Sequence, residues 1–298
     1  MPASAGRVVC LGDLMIDIVA LLPGPLAIGS DVPAPISFQP GGSAANTAAW
    51  LAWLGTPASF AGRIGDDPLG AQAVSSLRGL GVLTRVTIDF ERPTGVCLVL
   101  VGPDGERTMV PSAGANAALS ADDLLGLTEA EDHLHLSGYS LLSAGSRPAA
   151  QAALAAAVAV GASVSVDAAS AGPLRTVGAE AFLGWLPAGT LLIANTDELA
   201  ALTGDRPDRL SELAGAGLTV VIKDGMHGAR LADCHGVRTV RTEAVDVLDS
   251  TGAGDAFAAG LLAALHDGLT LDSAVAQGNR TGALALATVG GRPTDQPG

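Results

Sequence analysis

The chain has 298 residues, of which 48% are hydrophobic, and a formal net charge of −14. That length supports one large core or two modest domains, and the acidic balance argues against nucleic-acid backbones and anionic membranes as partners. Aromatics make up 3% of the residues, so Ala, Leu, Val and Gly must fill the interior, which suits helices packed closely on a sheet.

Val8–Leu11 reads as a buried first strand ending at Gly12-Asp13. Pro23, Pro25, Pro33, Pro35 and Pro40 then break the chain into irregular or edge-strand structure standing off the core. A helix over Ala44–Leu54 follows Gly41-Gly42, then a strand at Pro57–Ala61 and a helix at Pro68–Leu80. Thr94–Val101 and Arg107–Val110 flank Pro103-Asp104-Gly105, a hairpin signature. The irregular β-like pieces, roughly 13–40 and 91–111, are expected to pair as a small lid.

From there strands at His133–Leu136, Ser163–Val166, Leu191–Ala194 and Thr219–Lys223 alternate with helices at Arg147–Val160, Ala179–Trp185 and Arg209–Ala214. This is the pattern of βαβ units around a mostly parallel sheet. Helices at Ala253–His266 and Leu271–Ala287 close the chain. The Ala-rich run from Ala149 to Val166 is the nearest thing to a membrane span, but it reads as a core helix followed by a strand. Ligands of such sheets bind beyond the strands' carboxyl ends, so Gly12-Asp13, Asp167, Asn195 and Asp224-Gly225 are expected around one crevice.

Cys10, Cys97 and Cys234 fit neither a disulfide framework nor a zinc site, and no basic segment precedes the first apolar stretch, so a reducing cytoplasm is the expected compartment. Lys223 is the sole lysine, which rules out a Walker A loop. His133 and His135 share a strand face but have no third ligand at suitable spacing, so no metal site is expected there.

The strongest signal is Asp249-Ser250-Thr251-Gly252-Ala253-Gly254-Asp255, a Gly-rich turn opening into an apolar helix on which Phe257, Leu261 and Leu265 recur. Unpaired N–H groups and the positive end of the helix dipole make such a turn a phosphate seat. A carboxylate at Asp255 would repel a phosphate unless it had a task, and accepting the proton of an attacking hydroxyl is that task. At a helix N-terminus Asp255 is expected to have a depressed pKa. The dinucleotide fingerprint fails, because Phe257 stands where a third glycine is needed, which counts against an NAD-dependent oxidoreductase. A second motif, Gly41-Gly42-Ser43-Ala44-Ala45-Asn46, would let a ligand lie against the backbone, with Asn46 able both to donate and to accept.

With these two motifs the chain resembles the ribokinase-like (PfkB) carbohydrate kinases, which carry Gly-Gly-x-x-x-Asn near the N-terminus and Asp-Thr-x-Gly-Ala-Gly-Asp near the C-terminus; here Ser250-Thr251 stands in place of Thr-x. Gly12–Asp17, Arg63–Gly70, Gly114-Ala115-Asn116, Asn195–Glu198 and Gly225–Gly228 extend the resemblance over nearly the full length. It implies one ribokinase-like domain over 1–298, a three-layer α/β/α sandwich with a mostly parallel sheet and a small β lid. It also implies transfer of the γ-phosphoryl group of Mg-ATP to a hydroxymethyl group. In that reading Asp255 is the base and the amides of Gly252, Ala253 and Gly254 form the anion hole. Asp13, Asp17, Gly41, Gly42 and Asn46 hold the acceptor. Asn195, Lys223, Gly225, Gly228, Thr251 and Asn279 lie along the nucleotide. Glu198 places magnesium through water, and Asp249 and Thr251 match positions that supply monovalent-cation (K+) ligands in many members. The family also permits a homodimer through the lid, and a non-catalytic sugar- or nucleotide-binding member is the alternative to an enzyme.

Ser43 replaces the lysine that many aldopentose-specific members carry, which speaks against ribose. Asp13 and Asp17 would oppose a dianion. The expected acceptor is therefore an uncharged sugar or polyol, or a sugar acid paired with Arg107. A nucleoside, which wants a stacking platform, ranks second because Tyr139, Phe38 and Trp53 are the few aromatics available.

Overall fold

The computed structural model describes residues 6–103, 106–204, 206 and 209–293. Thirteen strands occur among them: β1 (Val8–Leu11), β2 (Met15–Leu21), β3 (Ile36–Gly41), β4 (Ala58–Gly65), β5 (Leu83–Asp89), β6 (Gly95–Val101), β7 (Arg107–Ser112), β8 (His133–Ser137), β9 (Ser163–Asp167), β10 (Leu191–Asn195), β11 (Thr219–Lys223), β12 (Ala229–Asp233) and β13 (Gly236–Val240). They form a nine-stranded sheet in the order β13-β12-β11-β10-β9-β8-β1-β4-β5 and a four-stranded sheet in the order β3-β2-β6-β7. In the large sheet, β5 through β11 pair in parallel around β1, and the β11-β12-β13 edge is antiparallel.

A strand covered on both faces reads as an unbroken apolar run, and β1 is one. Val8 and Cys10 pack into one core with the helices Ser43–Trp53, Pro68–Gly79, Ala253–His266 and Leu271–Leu286. Val9 and Leu11 pack into a second core with Arg147–Val160, Ala171–Val177 and Thr196–Thr203. The expected α/β/α layering follows. Among the described residues no helix is long and apolar enough to cross a membrane.

The small sheet is built from the segments expected to form a lid, but it is more regular than the prolines suggested. β2 pairs antiparallel with β3 and parallel with β6, and β6 pairs antiparallel with β7. Of the expected Pro103-Asp104-Gly105 turn, Asp104 and Gly105 lie outside the described residues. Side chains tie the connections down. Asp67 caps the helix Pro68–Gly79 through the amide of Gly70 (2.9 Å) and accepts the amide of Thr94 (2.7 Å) just before β6. Asn116 accepts the Leu14 amide (3.1 Å) and donates to the Leu14 carbonyl (3.0 Å), fixing the β1–β2 crossing. The strands β5, β12 and β13 were not anticipated from the sequence.

After the last helix the chain turns back over Gly290-Gly291-Arg292 and is held by Trp50, whose indole Nε1 donates to the Gly291 carbonyl (3.1 Å, both buried). Trp50→Phe should leave that carbonyl unpaired and lower unfolding stability by about 1–3 kcal/mol in a denaturant titration.

Candidate active site

The parallel strands end at one edge, and their last residues face a single cleft of about 540 Å³. Asp13 follows β1, Asp167 ends β9, Asn195 ends β10 and Lys223 ends β11. The lid sheet roofs the cleft with Met15, Asp17, Cys97, Met109 and Pro111, and the turn before the helix Ala253–His266 closes it from the side with Thr251, Gly252, Gly254 and Asp255.

Asp255 sits in the first turn of that helix, partly exposed to the cleft and otherwise enclosed. Its carboxylate accepts the Ser43 hydroxyl (2.8 Å) and the Asn46 amide (3.0 Å), so the two glycine-rich motifs meet at this side chain. Burial pushes its pKa up to about 7, against the lowering effect of Asn46 and Ser43, with Asp167 adding to the rise. The depressed pKa expected from the helix dipole is thereby corrected: loss of hydration outweighs the dipole and both hydrogen bonds.

Gly252 has φ +71°, and a Cβ there would lie 2.5 Å from the Gly291 Cα, so no other residue suits the turn. A Cβ on Gly254 would lie 3.1 Å from the Lys223 Nζ, which directs the ammonium group at the turn's amides. Lys223 is held there by Asp167 (Nζ to Oδ2, 2.8 Å). Burial works against its charge, but Asp167 and Glu198 more than offset that and raise its pKa.

Asp13 accepts the Ser43 amide through Oδ2 (2.8 Å), whereas its buried Oδ1 has no protein partner. An orphaned carboxylate oxygen lining a cleft is built for a ligand hydroxyl. Asp17 lies beside it, raised to about 6 by burial and by Asp13, with Arg292 pulling the other way. A Cβ on Gly41 would lie 2.5 Å from the Asp17 carboxylate, and Gly42 has φ +96° with the Asp13 carbonyl at 2.4 Å from a Cβ, so both glycines make room for the two acids.

Glu198 and Asn195 form a capping box, each bonding the other's backbone amide (2.8 and 2.9 Å). Glu198 is buried, and burial together with Asp167 raises its pKa. Asp167 and Glu198 both line the cleft, and each of their four carboxylate oxygens already accepts a bond from Ala169, Lys223 or Asn195, so a divalent cation would meet them through its water shell rather than at a free oxygen.

Several expected site residues fall elsewhere. Gly225, Gly228 and Asn279 do not line this cleft. Gly228 (φ +90°) makes room for the Val240 carbonyl, and Asn279 donates to that same carbonyl (3.1 Å), so these residues shape the β11–β13 edge. Arg107 does not face Asp13 and Asp17. Its guanidinium donates to the Thr251 hydroxyl (2.5 Å) and pairs with the Asp249 carboxylate. His133 and His135 are tied to Ser163 and Ser165 within the sheet, and among the described residues no cluster of three or more metal-ligating side chains occurs.

Sequence reasoning missed Arg292. It is buried and donates to the Asn46 Oδ1 (3.1 Å) and to the Gly41 carbonyl (3.1 Å), behind the Gly41–Asn46 segment. Its signal was the Gly290-Gly291-Arg292 tripeptide just past the last helix. It forces Asn46 to turn its amide nitrogen toward Asp255.

The family model for pfkB carbohydrate kinases matches residues 5–297. An ATP-dependent ribose-1-phosphate kinase of Halopiger xanaduensis is 36% identical over 259 residues, 85% of this chain and 82% of that protein. The crystal structure of adenosine kinase from Sinorhizobium meliloti superposes with a TM-score of 0.88 at 25% identity, covering 98% of this chain and 97% of the other. A fructokinase double mutant from Vibrio cholerae O395, solved in a fructose, ADP and potassium ion bound form, superposes with a TM-score of 0.80 at 27% identity, covering 98% and 95%. The chain belongs to the pfkB family of carbohydrate kinases. It has the ribokinase-like fold and is an ATP-dependent carbohydrate kinase.

The raised pKa of Asp255 has a sign that stability measurements can read. The unfolded side chain ionises near 3.8 and the folded one near 7, so the folded state is progressively penalised as pH climbs between those values and suffers no further loss above. Asp255→Asn removes that penalty. Its stability relative to the wild type should rise between pH 4 and pH 7, by at most about 4 kcal/mol, and stay level at higher pH, as followed by urea unfolding.

Proposed function

We propose that the cleft transfers a phosphoryl group from ATP to the hydroxymethyl group of an uncharged sugar, with Asp255 as the base. The observation that supports this most is the convergence of Ser43, Asn46, the Gly252–Gly254 turn and Lys223 on one carboxylate whose pKa lies near neutrality. A base near the working pH is ionised often enough to act and is basic enough to take a proton as the acceptor oxygen attacks.

The acceptor's hydroxyls bind the free Oδ1 of Asp13, the Asp17 carboxylate and Asn46, which orients one primary hydroxyl toward Asp255. The amides of Gly252, Ala253 and Gly254, with Lys223, take up the charge that spreads over the transferring group. Asn195 and Glu198, with Asp167, would hold magnesium through water, and the metal would supply neutralisation of phosphate charge. The lid excludes water, so that the acceptor rather than solvent is phosphorylated. Asp13 and Asp17 repel an anionic acceptor, and Arg107 is already committed to Asp249, so the sugar-acid reading loses its cation. The chain's similarity to a protein named as a ribose-1-phosphate kinase makes that sugar phosphate the comparison that matters most.

A nucleoside acceptor is the second reading. Met15, Met109 and Pro111 offer an apolar wall to a base, and Tyr139 also lines the cleft. Phe38 does not, and Trp53 stacks edge-on against Trp50. ADP release across fructose, ribose, ribose 1-phosphate, adenosine and a sugar acid separates the readings, with an uncharged hexose or pentose expected to lead. In Asp255→Asn, kcat on the best acceptor should fall by about 10²–10⁴-fold while nucleotide affinity is nearly unchanged. Undiminished turnover in that variant would remove Asp255 from the mechanism.

We further propose a cytoplasmic homodimer joined through the lid. Phe38, Ile18, Leu98 and Val110 stand in register across the four lid strands, and Phe38, Leu98 and Val110 are exposed. A contiguous apolar row of this kind marks an interaction surface. Phe38→Asp should convert the dimer to a monomer in sedimentation velocity.

A further inference from the structure

Arg107 opens β7, an edge strand of the lid, yet its guanidinium reaches across to the turn that precedes the phosphate seat. One nitrogen donates to the Thr251 hydroxyl (2.5 Å), and the other pairs with Oδ1 of Asp249. The same Oδ1 accepts the Thr251 amide (2.7 Å), and Oδ2 accepts the Gly290 amide (2.9 Å). Both carboxylate oxygens of Asp249 are thus engaged. Arg107 and Asp249 are about four-fifths or more buried, at 21% and 15% side-chain exposure, so the pair is stronger than one open to solvent.

Asp249 and Thr251 are the positions that the family resemblance assigns to a monovalent cation. The residues present do not fit that ion. The Asp249 carboxylate and the Thr251 hydroxyl already accept from a guanidinium, and a second cation within about 4 Å of that fixed charge meets repulsion of roughly 4 kcal/mol at an effective dielectric constant near 20.

We propose that Arg107 is a built-in replacement for the monovalent cation: it neutralises Asp249 and fixes the Asp249–Thr251 turn, and through it the amides of Gly252–Gly254. It is a positioning residue and rests on the reading of that turn as the anion hole. Because the charge comes from the lid, it also has a consequence that a diffusible ion lacks. When the lid moves away, Asp249 loses its partner and the turn loses a clamp, so the anion hole is fully formed only under a closed lid. Closure over the acceptor and readiness for transfer become one event, which suppresses phosphoryl transfer to water.

The test uses the full chain in tetramethylammonium buffer, with potassium or thallium(I) chloride exchanged at constant ionic strength. For the wild type, turnover is expected to change by less than about twofold on adding potassium, with neither a potassium-specific rise in Tm nor thallium binding by NMR. Arg107→Ala is expected to lose about tenfold or more in kcat in tetramethylammonium. Potassium should restore much of that loss, and thallium binding should appear. Rescue by an ion is a readout that a merely structural arginine would not give. A wild type that needs potassium, or that binds thallium at this turn, overturns the proposal. So does a folded, nucleotide-binding Arg107→Ala that neither binds nor responds to the ion. Arg107→Met repeats the test if the alanine variant does not fold, and the wild-type measurement decides by itself if neither does. Thallium binding needs no turnover, so a failure to find an acceptor leaves this test intact.

Discussion

Carboxylates crowd one edge of the sheet: Asp13, Asp17, Asp167, Glu198 and Asp255 all line the same cleft. Their mutual repulsion and lost hydration are the constraint to which the rest of the structure answers. Lys223 bridges toward Asp167 and the Gly-rich turn, while Arg292 supports Asn46 and pulls down on Asp17. Burial first, and then the excess of five acids over two fixed cations, raises the pKa values of Asp17, Glu198 and Asp255. On the proposed function, a site held in that state is primed for a metal ion and for the proton of an attacking alcohol. Its charge deficit is therefore part of the chemistry, at a cost in stability that the large apolar cores absorb.

The lid enters the same balance through polar attachments of different character. Asp67 on Thr94 and Asn116 on Leu14 are bonds to backbone at the places where the chain leaves the core, and they set where the lid stands. Arg107 on Asp249 is a bond between side chains at the lid's free edge, and an ion pair can open without unravelling a strand. Fixed roots and a releasable tip are the mechanical requirements of a closing flap. They coincide here with the electrostatic need to neutralise Asp249.

Much of this was legible in the sequence because short parallel strands carry a local signature. Val8–Leu11 and Leu191–Ala194 are continuous apolar runs because helices cover both faces, Gly42 and Gly252 are required by close backbone approaches, and Gly41 and Gly254 leave room for the Asp17 carboxylate and the Lys223 ammonium group. The edge strands were not legible. In β5, Thr84, Arg85 and Thr87 interrupt the apolar residues and Leu83 and Ile88 are exposed, and β13 is mostly exposed, so neither is a buried apolar run. Arg292 was missed for a different reason: its partner Asn46 is 246 positions away, and no local pattern reports such a contact. The misjudged titration of Asp255 is of the same kind. The helix N-terminus is visible in seven residues, but the burial that overrides it is assembled from the Gly41–Asn46 segment, the sheet edge and the returning C-terminal segment.

The net charge of −14 completes the physical picture. Such a chain offers no long-range attraction to a nucleotide or a sugar phosphate, and at physiological salt fields fade over about 8 Å. On the proposed function, capture therefore comes from donors that act at contact: first-turn amides, the Lys223 ammonium group and a metal that the buried acids would hold through water. Those donors are supplied by a turn whose geometry depends on Asp249, and Asp249 is neutralised from the lid. On the proposed function, selectivity against phosphorylated acceptors follows from the same distribution, because the half of the cleft assigned to the acceptor holds Asp13 and Asp17 whereas the cations Lys223 and Arg107 stand on the side assigned to the phosphoryl donor or behind it.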